Sequence, residues 1–231
     1  MTNRLYWVRH GENVANITKQ FSSRYVDYSL TPKGVLQAQQ TGEYFKDKDI
    51  HALYSSPLKR AMETAAIIGA AIGLPVTVLE NFREVDVGEL ELKPPTEENW
   101  AFHDRIFHAW LRGDRDAGFA GGDDYHGLWA RMLAGYEQVI DGADNRNLLV
   151  VGHGGNFTAT LKDLVPGLDL EVLRGGSHNC AITELRLARR DGRLQAELVT
   201  WAAHGHMHGA AAQFVTGLPE TSTLVRQILQ R

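Results

Sequence analysis

The sequence predicts an α/β fold of three layers, α/β/α, built on a mostly parallel central sheet. Three observations predict it. Short apolar, β-prone runs alternate with helical stretches along the first half of the chain. Residues 148–151 are uniformly apolar, as a strand buried on both faces must be. Polar clusters directly follow several of the strands, where sites in such sheets lie. With 231 residues, 43% of them hydrophobic, the chain can fill a sizeable core. It is expected to form one domain over residues 1–231, with a helical insertion at about 92–142.

The elements follow in order. Residues 5–8 form a strand that stops at Arg9-His10-Gly11. Thr31-Pro32 starts a helix, with a capping hydroxyl ahead of a proline, and Val35, Ala38, Gly42 and Phe45 keep helical spacing to about residue 48. A second strand, 52–54, runs into Ser55-Ser56-Pro57, where Ser56 is placed to cap a helix with Pro57 as its first residue. In that helix Leu58, Ala61, Met62, Ala65, Ile68 and Ile72 make one apolar stripe. Arg60 lies off the stripe in the first turn, facing the strand ends or solvent.

Gly73-Leu74-Pro75 ends this helix, and a third strand, 76–79, leads to Arg83-Glu84-Val85-Asp86. Two helical stretches, 97–112 and 125–140, flank the loop 119–124 and are expected to lie over the sheet. The strand 148–151 ends at Gly152-His153-Gly154-Gly155-Asn156, which puts a second histidine at a strand end. Residues 181–187 and 194–201 flank Arg190-Asp191-Gly192, a hairpin expected at the sheet's edge.

Composition narrows the function classes. A net charge of -4, a pI near 6.2 and no long basic run argue against a nucleic-acid surface, so any anion site must be local. No apolar run approaches the roughly 20 residues that cross a bilayer, and no signal-peptide pattern is visible at the start. The lone Cys180 has no partner for a disulfide or a cysteine zinc site. A cytoplasmic protein with no membrane contact is expected. The Asn-x-Thr sequons at Asn16 and Asn156 are read as chance.

Two histidine groups are weighed as metal sites and set aside. His204, His206 and His208 alternate in a Gly- and Ala-rich segment, with no carboxylate or cysteine cluster to complete a ligand set. His103 and His108 are five apart, not the one-turn spacing of a helical pair, and are read as surface or pocket-rim residues. Trp100, Trp110, Trp129 and Phe102 are read either as an apolar rim or as helix packing, with packing the favoured role.

Arg9-His10, Arg60, Glu84 and His153 all follow predicted strands, and strand ends lie side by side in a doubly wound sheet. Together they offer two guanidiniums, two imidazoles and a carboxylate. Guanidinium forks bind phosphate oxygens, imidazole can attack phosphorus, and a carboxylic acid can protonate a departing oxygen. The set fits phosphoryl transfer.

At this point the chain resembles the histidine phosphatase superfamily, with its phosphoglycerate mutase-like branch. The resemblance rests on Val8-Arg9-His10-Gly11-Glu12 with Asn16, on Leu30-Thr31-Pro32-Lys33-Gly34 with Gln37-Ala38, and on Ser55-Ser56-Pro57-Leu58-Lys59-Arg60-Ala61. It continues through Arg83-Glu84 with Gly88 and through Val151-Gly152-His153-Gly154-Gly155, spanning residues 5 to about 161. It implies a phosphoglycerate mutase-like fold in which His10 takes the phosphoryl group while Arg9, Arg60 and His153 hold its oxygens. Asn16 matches a further phosphate-pocket position, Glu84 the general acid, and Ser22 and Gly154 substrate-lining positions of the mutase branch. Asp86, Glu89 and Glu91 are rival acids near Glu84.

The chain departs from the family in two places. Gly121-Gly122-Asp123-Asp124 stands where many phosphatase members have Gly-Glu-Ser, and Gly88-Glu89-Leu90-Glu91 lacks the usual tryptophan. The resemblance implies a phosphomonoesterase acting on a small phosphorylated metabolite through phosphohistidine, with no cofactor or metal and a bell-shaped pH profile. The compact spacer from Glu84 to His153, without a basic Pro-rich segment, favours this over a phosphoglycerate mutase, the alternative. A non-catalytic phosphate-binding protein is the third reading, and a homodimer is the assembly left open.

Overall fold

The computed structural model describes residues 2–215. Its first strand, β1 (Thr2–Arg9), alternates its side chains between two core clusters: Leu5 and Trp7 join one, Tyr6 and Val8 the other. That period of two means the strand is covered on both faces, which is why it reads as a continuous apolar run. A short helix α1 (Val14–Thr18), which the sequence reading did not anticipate, follows the site triplet and is closed by a reciprocal Asn13–Asn16 capping box. Then come α2 (Pro32–Phe45), β2 (Ala52–Ser55), α3 (Lys59–Ile72) and β3 (Val76–Val78). They are followed by α4 (Glu97–Arg112), α5 (Tyr125–Ile140), β4 (Asn147–Gly152), α6 (Gly154–Leu164), β5 (Ile182–Arg190) and β6 (Arg193–Ala203).

The six strands of the described residues lie in the order β3-β2-β4-β1-β5-β6. The first four run parallel, and β5 and β6 are antiparallel additions, so the sheet is mostly parallel as expected. Asp191 and Gly192 turn the β5–β6 hairpin with φ of 51° and 76°, the left-handed pair of a type I′ turn. In register, Val8 and Ser55 both pair with Val151 of β4, so β1, β2 and β4 end together. Arg9-His10, Ser55-Ser56 and Gly152-His153 therefore meet at one edge.

Helices α2 and α3 cover the face carrying Tyr6, Val8, Leu149 and Val151, and α5 and α6 cover the face carrying Leu5, Trp7, Leu148 and Val150. Trp7 anchors the second face. It stacks on Phe157 of α6 at 4.6 Å, meets Phe82 edge-on at 5.3 Å, and donates its indole N–H to the carbonyl of His153 at 3.2 Å. The indole lies so close that a Cβ at Gly152 would sit 2.3 Å from it, and only glycine fits there. The core indole thus helps place the strand end that carries a site residue.

The middle segment divides between two tasks. Along α5, Leu128, Met132, Tyr136 and Val139 are fully buried against the sheet, whereas α4 reaches across the strand ends. Trp110 of α4 is buried in the core with Phe119 and Tyr125, whereas Trp100 packs against that core and also lines a cavity. Helix α3 also begins later than expected, at Lys59 with Leu58 as an N-cap that makes no side-chain bond. The hydroxyl of Ser56 is drawn away from full capping because it meets the ring of His153 at 2.6 Å. Among the described residues no helix is long and apolar enough to cross a membrane.

Candidate active site

His10, one residue past β1, is 3% exposed. Its Nδ1 lies 2.8 Å from the carbonyl oxygen of Gly11, which can only accept, so Nδ1 carries the proton and Nε2 keeps a lone pair. The Nε–H of Arg60 donates to that lone pair at 3.1 Å. Burial above all, then the charges of Arg60 and Arg9, hold the imidazole well below its ordinary 6.5, outweighing the Gly11 hydrogen bond. The ring is a neutral base with its free nitrogen turned toward a cation.

His153 is fully buried, its ring centroid 5.2 Å from that of His10. Its Nε2 meets the Ser56 hydroxyl, and its Nδ1 is buried without a partner among the described residues. Burial, with the charge of Arg60 next, holds this imidazole well below 6.5 too. Arg60 itself is 3% exposed and is gripped at every nitrogen. Beyond His10, its two terminal nitrogens donate to the Ser22 hydroxyl at 3.0 Å and the Ser22 carbonyl at 2.8 Å, and Asp27 lies 3.7 Å away. Burial pulls its guanidinium down to about 10, still charged at neutral pH. Arg9 donates to the carbonyl of Ser177, while its Nε is buried and unpartnered among the described residues.

Glu84 reaches the same edge from the segment after β3. Its carboxylate accepts N–H groups from Val85 at 2.9 Å, Asn156 at 2.7 Å and Gly155 at 3.1 Å. It therefore occupies the N-terminus of α6, where a carboxylate is favoured, while His153 in the N-cap position makes no side-chain cap. A Cβ at Gly155 would come 2.8 Å from Glu84 Oε1, so the glycine clears the space for this approach.

Asn16 turns its amide oxygen to the Asn13 N–H at 3.1 Å and the Asn179 amide at 3.0 Å, and Asn179 also donates to the carbonyl of His10. Arg9, His10, Asn16, Ser22, Arg60, Glu84 and Gly155 share a cavity of about 140 Å³; Gly154 instead packs beside the Arg9 side chain. The far wall is aromatic: Phe21, Trp100, His103 and Phe107, with Phe21 and Trp100 ring centroids 4.3 Å apart. A second compartment of about 280 Å³ shares Arg9, Asn16 and Trp100 and adds Lys19, His178 and Asn179. None of these wall residues has a distinguishing local sequence signature, although His103 is expected at the surface or a pocket rim.

In the Gly-rich loop, where the chain departs from the family, Asp123 is tied on two sides. Asp123 accepts the Asp86 N–H at 2.9 Å and pairs with Arg131 at 2.8 Å. Arg131 in turn donates to the carbonyls of Asn81, Arg83 and Glu84, so this pair holds the segment that carries Glu84. Arg131 was not singled out from sequence, because a helix-surface arginine has no distinguishing pattern. The 204–208 histidines diverge: His204 packs on His178 and His206 meets Thr41, and among the described residues no group of three or more potential ligands is placed to hold a metal.

A family model described as the histidine phosphatase superfamily (branch 1) matches residues 5–200. The uncharacterized phosphatase PhoE of Bacillus subtilis is 29% identical over 188 residues, covering 81% of this chain and 90% of that protein. Among solved structures, a mycobacterial glucosyl-3-phosphoglycerate phosphatase in complex with VO3 superposes with a TM-score of 0.72 at 25% identity, covering 87% of this chain and 99% of that one. A structure titled mycobacterial hydrolase 1 gives the same TM-score of 0.72 and the same identity of 25%, with coverage of 88% and 99%.

Proposed function

Because the chain belongs to the histidine phosphatase superfamily, branch 1, we propose that it is a phosphomonoesterase that hydrolyses a small phosphorylated metabolite through a phosphohistidine at Nε2 of His10. The observation that carries this is the state of the two rings. A neutral His10 presents Nε2 to a guanidinium, and a second buried imidazole 5.2 Å away keeps an Nδ1 with no partner among the described residues.

Phosphoryl transfer spreads charge over three equatorial oxygens, so the task is positioning and electrostatics. Arg9, Arg60, His153 and Asn16 supply donors for those oxygens, Ser22 borders them, and Gly154 packs behind them beside the Arg9 side chain. Nε2 attacks phosphorus as the ester P–O bond breaks, and Glu84, protonated at that stage, gives its proton to the departing alkoxide. Water then attacks phosphorus from the vacated side and passes a proton to Glu84. The P–N bond breaks, inorganic phosphate leaves, and His10 returns neutral.

The second compartment supports a leaving alcohol that carries its own anionic group. Among the described residues Lys19 and Arg9 border it, no carboxylate does, and Lys19 makes no ion pair. The test is phosphate release in the presence of chelator from phosphoserine, phosphoglycerates and uncharged alkyl phosphates. An alkali-stable, acid-labile phosphoryl label should form on the wild type and be missing from His10→Ala. Conversion of 3-phosphoglycerate with a bisphosphate primer into 2-phosphoglycerate would instead mark a mutase.

A further inference from the structure

Glu91, one of the rival acids, lies outside the cavity and does something else. Its carboxylate, 6% exposed, accepts four consecutive backbone N–H groups: Ser23 at 3.0 Å, Arg24 at 2.9 Å, Tyr25 at 3.0 Å and Val26 at 2.8 Å. The Ser23 hydroxyl adds a fifth bond at 2.9 Å. Successive N–H groups converge on one point only when the backbone curls into a concave nest, and an anion is what stabilises that curl. No arginine, lysine or histidine pairs with Glu91 among the described residues, so the loop's own dipoles hold the charge. Burial pushes this carboxyl up, but the Val26, Ser23 and Arg24 bonds outweigh it and keep it below the usual range.

The curled loop begins and ends on Arg60. Ser22, directly before the nest, accepts both terminal nitrogens of Arg60 and donates to the carbonyl of Val26, the nest's last residue. Asp27, directly after it, faces Arg60 and accepts the Lys59 N–H at 3.0 Å at the start of α3. Arg60 then donates to His10 Nε2.

We propose that Glu91 is a positioning residue: its carboxylate folds the 22–27 loop into the shape that aims Arg60 at the nucleophilic nitrogen and the phosphoryl group. The role rests on the phosphatase reading, yet it also has a consequence for anion binding alone. A misplacement of about 1 Å at the chemistry can cost on the order of 10²-fold. Glu91→Gln keeps the size but replaces an acceptor oxygen with a donor facing N–H groups, so kcat/KM for p-nitrophenyl phosphate should fall roughly 10- to 100-fold.

The decisive measurement is a double-mutant cycle with Arg60→Ala. If Glu91 acts through Arg60, Glu91→Gln costs nothing further once Arg60 is gone. The same fold loss in both backgrounds would mean general loosening and overturn the proposal, as would a fully active Glu91→Gln. Orthovanadate affinity, read by calorimetry on the same four proteins, should show the same pattern. A wild type that binds vanadate but hydrolyses no ester would sink the phosphatase reading and leave this one standing or falling on the vanadate cycle. If Glu91→Gln does not fold, Ser23→Ala, which removes one of the five donors, should give a few-fold loss that likewise vanishes without Arg60; equal loss in both backgrounds, or none, refutes the role.

Discussion

The Nε–H of Arg60 points at Nε2 of His10 across 3.1 Å, the one ring nitrogen that the Gly11 carbonyl leaves unprotonated. A fixed donor in a water-poor site is commonly worth about 10² to 10³ in rate. Arg60→Ala should therefore lower kcat/KM by that order, while His10→Ala leaves almost no turnover. Steady-state phosphate release checks both; a mild effect at either position would contradict the roles given to them.

Acid should unfold this protein through its two site imidazoles. Both are held well below 6.5 in the folded state and return to about that value when unfolded. Between the folded values and 6.5 the unfolded chain binds protons that the folded one does not, so stability drops as pH falls through that window and is fully present above it. Each ring contributes a slope of about 1.4 kcal/mol per pH unit there. Urea midpoints measured from pH 8 down to 5 should bend near 6.5, and less steeply in His10→Gln; superimposable curves would count against buried, neutral rings.

Glu84 has two jobs that substitution should separate. It occupies the N-terminus of α6, where losing a cap costs about 0.5–2 kcal/mol. Glu84→Ala is expected to lose that stability and most turnover. Glu84→Gln, which keeps an acceptor oxygen but has no proton to give, should recover part of the melting temperature and little of the rate. Recovery of both together would argue against proton transfer at this residue.

Arg131 should matter although it lies outside the cavity. It joins Asp123 to the carbonyls of Asn81, Arg83 and Glu84, and hydrogen bonds to charged groups contribute about 1.5–3 kcal/mol each at best. Arg131→Ala is expected to destabilise by about 2 kcal/mol, since Asp123 keeps its bond to the Asp86 N–H but loses its cation. Thermal melts and kcat should fall together, and an unchanged kcat would mean that the Glu84 segment holds its shape unaided.

Much of this arrangement is written locally. The apolar runs 5–8 and 148–151, the Thr31-Pro32 start and the Asp191-Gly192 turn each specify their own backbone, and the family motifs name His10, Arg60, Glu84 and His153. What local patterning misread is instructive. Ser56 has the sequence of a helix cap, yet its hydroxyl meets His153, because a strand far along the chain delivers a ring beside it. Trp100 packs as its pattern suggests, but that it also lines a cavity follows only from α4 crossing the strand ends.

By itself, then, the amino-acid order determined most of the element types, the mostly parallel sheet and the groups here proposed to move a phosphoryl. Which groups touch which was decided in three dimensions: that Arg60 donates to His10, that Glu84 sits on the start of α6, that Glu91 accepts the N–H groups of residues 23–26, and that Arg131 donates to the carbonyl of Glu84. Periodicity records whether a side chain faces inward, but hydrogen bonds between distant residues depend on direction and on tenths of an ångström, and those are set only when the sheet's register brings separate strand ends to one edge.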